Sequence, residues 1–402
     1  MIKGTLQELC LNITDGKHGD CENEENSGYY FISCKDIFDG QINYKNARQI
    51  TKADFEETHK RTMLEVDDIL LTNSGTIGRM AFVTDREVTT KSTFQKSVAI
   101  IKPDKQKVLP RYLYYQLQNC VPQFINSSNG SAQKNLLLST MRTFQIEIEE
   151  NREKQEKIAN TLSAYDDLIE NNQKQIKLLE EATQRLYKEW FVDLRFPGHE
   201  NTKIVDGVPE GWNWCKLEDT IQFDPKVTLT KERMKQFIPM SALSTSSMVL
   251  DESQFTETTS NSGSKFQNGD TLLARITPCL ENGKTAYVSG LKSDEGAVGS
   301  TEYIVMRAKT INSYMVYLLA RTDDFRQSAI NSMSGSDGRQ RVKSDKLKML
   351  DYLHPTSELV EKFENVEEPI FEKIYRLSKQ MQQAKQARDL LLPKLMSGEV
   401  EV

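Results

Sequence analysis

Between Lys154 and Phe191 the apolar residues Ile158, Leu162, Tyr165, Ile169, Ile176, Leu179, Leu186 and Trp190 recur at alternating steps of four and three, with Asn172 and Thr183 filling two gaps. Such spacing is a heptad seam. A helix of this length runs roughly 57 Å at about 1.5 Å per residue and needs a partner along its whole face. The chain supplies that partner. Phe363, Ile370, Ile374, Leu377, Met381, Ala384, Leu391 and Leu395 each lie 205 residues after a first-seam counterpart, and Arg388 stands where Thr183 stands. The chain therefore reads as a duplication.

The remainder divides around these arms. Residues 1–146 alternate short β-like runs (Tyr29–Ser33, Asp68–Thr72, Met80–Val83, Ser97–Ile101) with glycine-rich breaks and one helical patch, Pro110–Gln118, as expected of a mixed α/β domain. Residues 147–195 form the first arm, and 196–212, rich in proline and glycine, a connector. Residues 213–353 repeat the first domain loosely: Phe237-Ile238 echoes Phe31-Ile32, Ser300-Thr301 echoes Ser92-Thr93, Gly335-Ser336 echoes Gly130-Ser131, and the run from Asp270 echoes that from Asp68 with three residues inserted. Residues 354–402 form the second arm. Pro355 is expected in its first turn, and Pro369 is expected to kink or divide it.

At 38% hydrophobic and 27% charged residues the composition is that of a soluble globular protein. Neither a membrane-length apolar run nor a signal-peptide core at MIKGTLQELC is present, so a cytoplasmic protein is expected. The net charge of -6 hides an uneven distribution. Glu147–Asp193 carries 12 acidic and 7 basic residues, whereas Val88–Ile146 carries eight lysines or arginines, Lys96 and Lys134 among them, against Asp104 alone. Clustered cations suit phosphate neutralisation, although ordinary charge heterogeneity accounts for them too.

No catalytic centre is legible. Gly283-Lys284-Thr285 imitates the end of a P-loop, but Pro278 stands where the loop needs glycine. Pro103-Asp104 finds no second carboxylate through Ile146, and no methyltransferase catalytic turn occurs. The six cysteines include no CxxC pair and the four histidines lie far apart, so no metal site is expected.

Other strings suit contact. Lys17 and His18 sit in the polar loop from Thr14 to Asp20, which a plain surface turn would also explain. Asn73, Ser74, Thr76 and Arg79 place small donors and a cation around two glycines, where backbone can approach phosphate. Ser92, Lys96 and Lys134 complete the first domain's candidates; Arg275, Lys284, Arg339, Arg341 and Lys343 are the second's. Asn172, polar within the seam, is expected to set helix register, unless it is merely solvated.

Two divergent domains alternating with two matching helices, together with ITDGKHGD from Ile13, ILLTNSGTIGRMAFV from Ile69, NGSAQKNL at 129–136, EKQEKIANTL from Glu153, KEWFVDLRFPG from Lys188 and LLLPKLMSGEV from Leu390, resemble the DNA specificity subunits of type I restriction-modification systems. The second domain lacks an evident copy of the DGKHGD loop. The resemblance implies an α+β fold in which two target-recognition domains are separated by helices pairing as an antiparallel coiled coil. It implies a non-catalytic subunit that reads a bipartite site in double-stranded DNA and holds two methyltransferase subunits, with restriction subunits as further partners. S-adenosylmethionine would belong to the methyltransferase, and ATP and Mg2+ to the restriction subunit. Two other readings compete: a coiled-coil scaffold with two protein-binding domains, and a stand-alone DNA-modifying enzyme with a degenerate centre.

Overall fold

The computed structural model describes residues 1–85, 87–128, 134–336 and 338–401. It divides into two compact units, Met1–Asp167 with Ala384–Val402, and Leu168–Gln383. The long helices, Arg152–Tyr187 and Ser357–Ser397, each contribute residues to both units; the first ends in a π-helical turn, Lys188–Val192.

In the first unit a four-stranded antiparallel sheet runs in the order Cys10–Asp15, Val98–Pro103, Ile69–Thr72, Met80–Phe82. Strand side chains alternate between faces, and both faces of this sheet are covered. Ile69, Leu71, Ala99 and Ile101 pack with Tyr112 and Leu113 of the Pro110–Asn119 helix and with Ile158 and Leu162 of the first long helix. Leu70, Val98 and Ile100 pack with Ile32 and Phe94, which belong to a second sheet where Tyr30–Ile32 lies between Arg48–Gln49 and Ser92–Phe94. A ribbon of Ile2–Thr5 and Gln145–Ile148 precedes the first long helix.

The second unit repeats the four-stranded sheet strand for strand. Its sheet runs Ile221–Phe223, Tyr303–Ala308, Thr271–Ala274, Thr285–Tyr287. Leu273, Ile304 and Met306 face Tyr317 and the helices, while Leu272, Tyr303 and Val305 face Phe266 and Ile238. The ribbon is Asn213–Lys216 with Asp351–His354. The second sheet gains a strand, placing Lys235–Ile238 and Ala297–Gly299 inside Thr256–Thr258 and Ser264–Phe266.

The helices pair antiparallel. Asn172 bonds Gln380, whereas Trp190, farther along the first helix, stacks edge-on against Phe363, early in the second.

Three expectations need correction. Pro369 lies within a continuous helix instead of dividing it. Both Pro369 and Asn365, whose carbonyl loses its intrahelical donor, are exposed, so water can satisfy that carbonyl while buried Phe363 and Phe371 hold the turns on either side. Pro355 stands outside the helix, which begins at Ser357; Thr356 receives the Leu359 amide at its Oγ1. Ser300 matches Gln95 and not Ser92, because Thr93 pairs with Phe31 where Val298 pairs with Phe237, and the amides of Gln95 and Ser300 bond Ile32 and Ile238 respectively. Residues 129–133, and with them the Gly130-Ser131 half of one echo, lie outside the described residues.

Candidate nucleic-acid interface

At one end of the first sheet a cleft is lined by Asp15, His18, Arg61, Asn73, Ser74, Lys96, Asn135 and Arg142. Asp15 ends the first strand, Asn73 and Ser74 follow the third, and Lys96 precedes the second. Backbone bonds fix the geometry: the Asn73 amide donates to Ser97 O (3.1 Å), the Leu136 amide to Asn73 O (2.7 Å), and Ser74 bridges Asn135. Buried Asp15 accepts from Arg61 and faces His18 Nε2 at 2.8 Å, while Arg142 donates to Ile13 O at 2.6 Å. Gly16 between Asp15 and Lys17 is obligatory, since a Cβ there would lie 1.9 Å from the Phe94 carbonyl oxygen. Three cations, Arg61, Lys96 and Arg142, oppose one acid, Asp15.

The second unit carries a cleft at the same end of its four-stranded sheet but opening toward the second sheet, lined by Asp224, Lys226, Lys231, Lys265, Arg275 and Thr301 among others. The backbone pattern is the same. Arg275 N bonds Glu302 O (3.0 Å), Val342 N bonds Arg275 O (2.9 Å), and Ile276 bridges Arg341. Arg275 thus occupies the place of Asn73, Thr301 that of Lys96 and Arg341 that of Asn135, while the segment from Asp224 follows the strand equivalent to the one that Asp15 ends. Four cations oppose Asp224.

Of the residues singled out in the sequence, His18, Asn73, Ser74 and Lys96 line the first cleft and Arg275 the second. Thr76 and Arg79 are exposed on a loop closed by Thr72, whose Oγ1 accepts the Arg79 amide (2.9 Å) and whose carbonyl accepts that of Gly78 (3.0 Å). Lys134, Arg339 and Lys343 are exposed. Lys284 matches Arg79 in register and donates to Met240 O. Lys17 points away from the cleft, pairing with Asp54 at 3.0 Å and Glu57 at 3.3 Å; its pKa is raised, chiefly by the bond to Asp54. Arg341 is engaged by Glu302 at 2.7 Å and holds that carboxyl below its ordinary range. Ser92 is fully buried and bonded to Val88 O and Tyr44 Oη, so it belongs to the core and not to a contact surface.

Sequence reading passed over Asp15, Arg61 and Asn135 in the first cleft and Lys226, Lys231 and Lys265 in the second, and counted Arg142 only within the cation-rich stretch 88–146. Asp15 and Asn135 lay inside strings already noted, and Lys226–Lys235 holds four cations that could have drawn attention.

Residues 5–181 match the family model described as the type I restriction modification DNA specificity domain. The chain is 27% identical to the type I restriction enzyme MjaIX specificity subunit of Methanocaldococcus jannaschii, over 92% of this chain and 87% of that protein. Residues 5–181 thus resemble a type I restriction modification DNA specificity domain, and the chain as a whole is similar to a type I specificity subunit. It is also 35% identical to the EcoAI specificity subunit of Escherichia coli over 34% of this chain and 24% of that one. Its fold is similar to that of the S subunit from M. genitalium, with a TM-score of 0.60 at 16% identity, covering 98% of this chain and 96% of that chain.

The seam residues are distributed between the two units. Ile158, Leu162 and Leu395, with half-buried Leu391, join the first core; Ile176, Ile374 and Leu377, with Leu179, Leu186 and Ile370, join the second. Asn172 is buried, and Tyr165, Ile169 and Met381 are half-buried. Among the described residues no cluster of three or more histidine, cysteine or acidic side chains could hold a metal ion, and no helix is long and apolar enough to cross a membrane.

Proposed function

We propose that this chain is the specificity subunit of a type I restriction-modification enzyme, that it reads a split site in double-stranded DNA, one half with each head, and that its paired helices recruit two modification methyltransferase subunits and, in a restricting complex, restriction subunits. One observation supports this reading above others: each unit has a net-cationic cleft at the same end of its four-stranded sheet, where Asn73 matches Arg275 and Lys96 matches Thr301, on a head anchored to the same pair of helices. Cations in a concave surface neutralise phosphates, and polar groups on its walls can meet base edges. A scaffold for protein partners would not call for a basic cleft in both heads. The chain would bind no cofactor; S-adenosylmethionine would act in the methyltransferase, ATP and Mg2+ in the restriction subunit, all in the cytoplasm.

The test is sequencing of methylated adenine in cells expressing the methyltransferase with and without this chain. A split motif that appears only with the chain supports the reading. Identical methylation in both, with the proteins shown to associate, would falsify it.

A further inference from the structure

Three backbone-matched positions at the cleft differ in chemistry between the heads. In the first they hold Asn73, Ser97 and Asn135; in the second, Arg275, Glu302 and Arg341. The first set is uncharged throughout. The second is a charged set in which Arg341 spends its guanidinium on Glu302, while Arg275 gives Nε to Val342 O at 3.1 Å and lines the cleft. Asn73 is 5% exposed, lies on the cleft wall, and its Oδ1 has no hydrogen-bond partner. A buried acceptor left unpaired is costly, so it is a position where an incoming donor is favoured. An Asn amide matches adenine N6 and N7, and a guanidinium matches guanine O6 and N7.

Resting on the proposed DNA-reading role, we infer that the position shared by Asn73 and Arg275 is a base-reading position in each head, taking an A·T pair in the first half-site and a G·C pair in the second. Backbone bonds hold that position in both heads: Asn73 and Arg275 donate their amides to the carbonyls of Ser97 and Glu302 and accept those of Leu136 and Val342. The remaining cleft cations then serve phosphates, which carry no sequence information.

The experiment compares methylation motifs in cells expressing the full chain with its methyltransferase, as wild type, Asn73→Ala, Asn73→Asp and Arg275→Ala. Asn73→Asp keeps the side chain's volume while removing its donor, and because a buried carboxylate carries a desolvation cost of its own, a thermal melt of each assembled complex separates lost reading from lost folding. The expected result is a roughly 10- to 100-fold loss of preference at one A·T pair of one half-site, other than the methylated one, in the Asn73 variants. Arg275→Ala should relax one G·C pair of the other half-site, and each variant should leave the opposite half-site intact. A chain-dependent motif that all three variants read unchanged, or that relaxes in both halves at once, overturns the inference alone. A wild-type chain that confers no motif overturns the DNA-reading role and this inference with it.

Discussion

Asn172 donates from Nδ2 to Oε1 of Gln380, 3.2 Å away, across the paired helices. Asn172 is buried and Gln380 exposed, so the two are not equivalent. Gln380→Ala strands a buried amide and should cost about 1–3 kcal/mol. Asn172→Leu leaves a glutamine that water can satisfy and adds apolar burial, so it should stabilise by about 1 kcal/mol while loosening register. Urea unfolding of the two variants checks the opposite signs.

Glu367 stands 205 residues after Leu162, on the helix face that buries Phe363 and Phe371. Neither carboxyl oxygen has a partner, and burial pushes its pKa up to about 8. A carboxyl raised on folding gives full stability below its unfolded pKa of about 4.5, and that stability is lost as pH rises from there through about 8. Glu367→Leu should therefore stabilise by roughly 2–4 kcal/mol at pH 8 and little at pH 4. Thermal melts across that range should show the wild type converging on the variant as pH falls.

Asp166 accepts from Tyr115 Oη and from Arg388 Nη1, each at 2.5 Å, tying the first head to the second long helix within one unit. Asp166→Ala leaves a mostly buried guanidinium with only the adjacent Asp389 and should cost about 2–4 kcal/mol. Tyr115→Phe should cost about 1 kcal/mol. Equal losses in the two variants would contradict this ranking.

Gly16→Ala drives a Cβ into the Phe94 carbonyl and cannot be absorbed by a side-chain rotation. The loop carrying His18 must move, so DNA affinity of the assembled complex should fall at least tenfold. Titration of labelled duplex measures it.

Lys96→Ala and Lys226→Ala should each flatten the salt dependence of DNA binding by about one unit of log-log slope without altering the motif. Binding isotherms at several salt concentrations decide, and a changed motif would assign these lysines to bases.

The helices and strands were legible because they rest on periodicity. Heptad steps from Ile158 marked the first arm, and the runs ending at Thr72 and Ile101 marked central strands, since burial on a regular backbone imposes its period on the sequence. Pairing of the arms could be read from matched seams alone. Glu367 and Pro369 broke the pattern and the helix persisted, because cooperative packing on both sides outweighs one local fault.

The clefts obeyed no period. Asp15, Arg61, Asn73 and Arg142 come from two strand ends and two helices and meet only through tertiary packing, and a lysine's availability depends on partners far along the chain. Lys17 was taken up by Asp54, and Arg341 by Glu302, as no local spacing foretells. The match of Lys96 with Thr301 emerges from hydrogen-bond register, because insertions had moved this part of the two domains out of step in sequence, whereas the echo of Asp68 in Asp270 already set Asn73 opposite Arg275. Local chemistry thus settled the duplicated scaffold and its helical arms. Which charges remain free to meet a ligand was settled by long-range folding, since electrostatic pairing depends on distance in space and not along the chain.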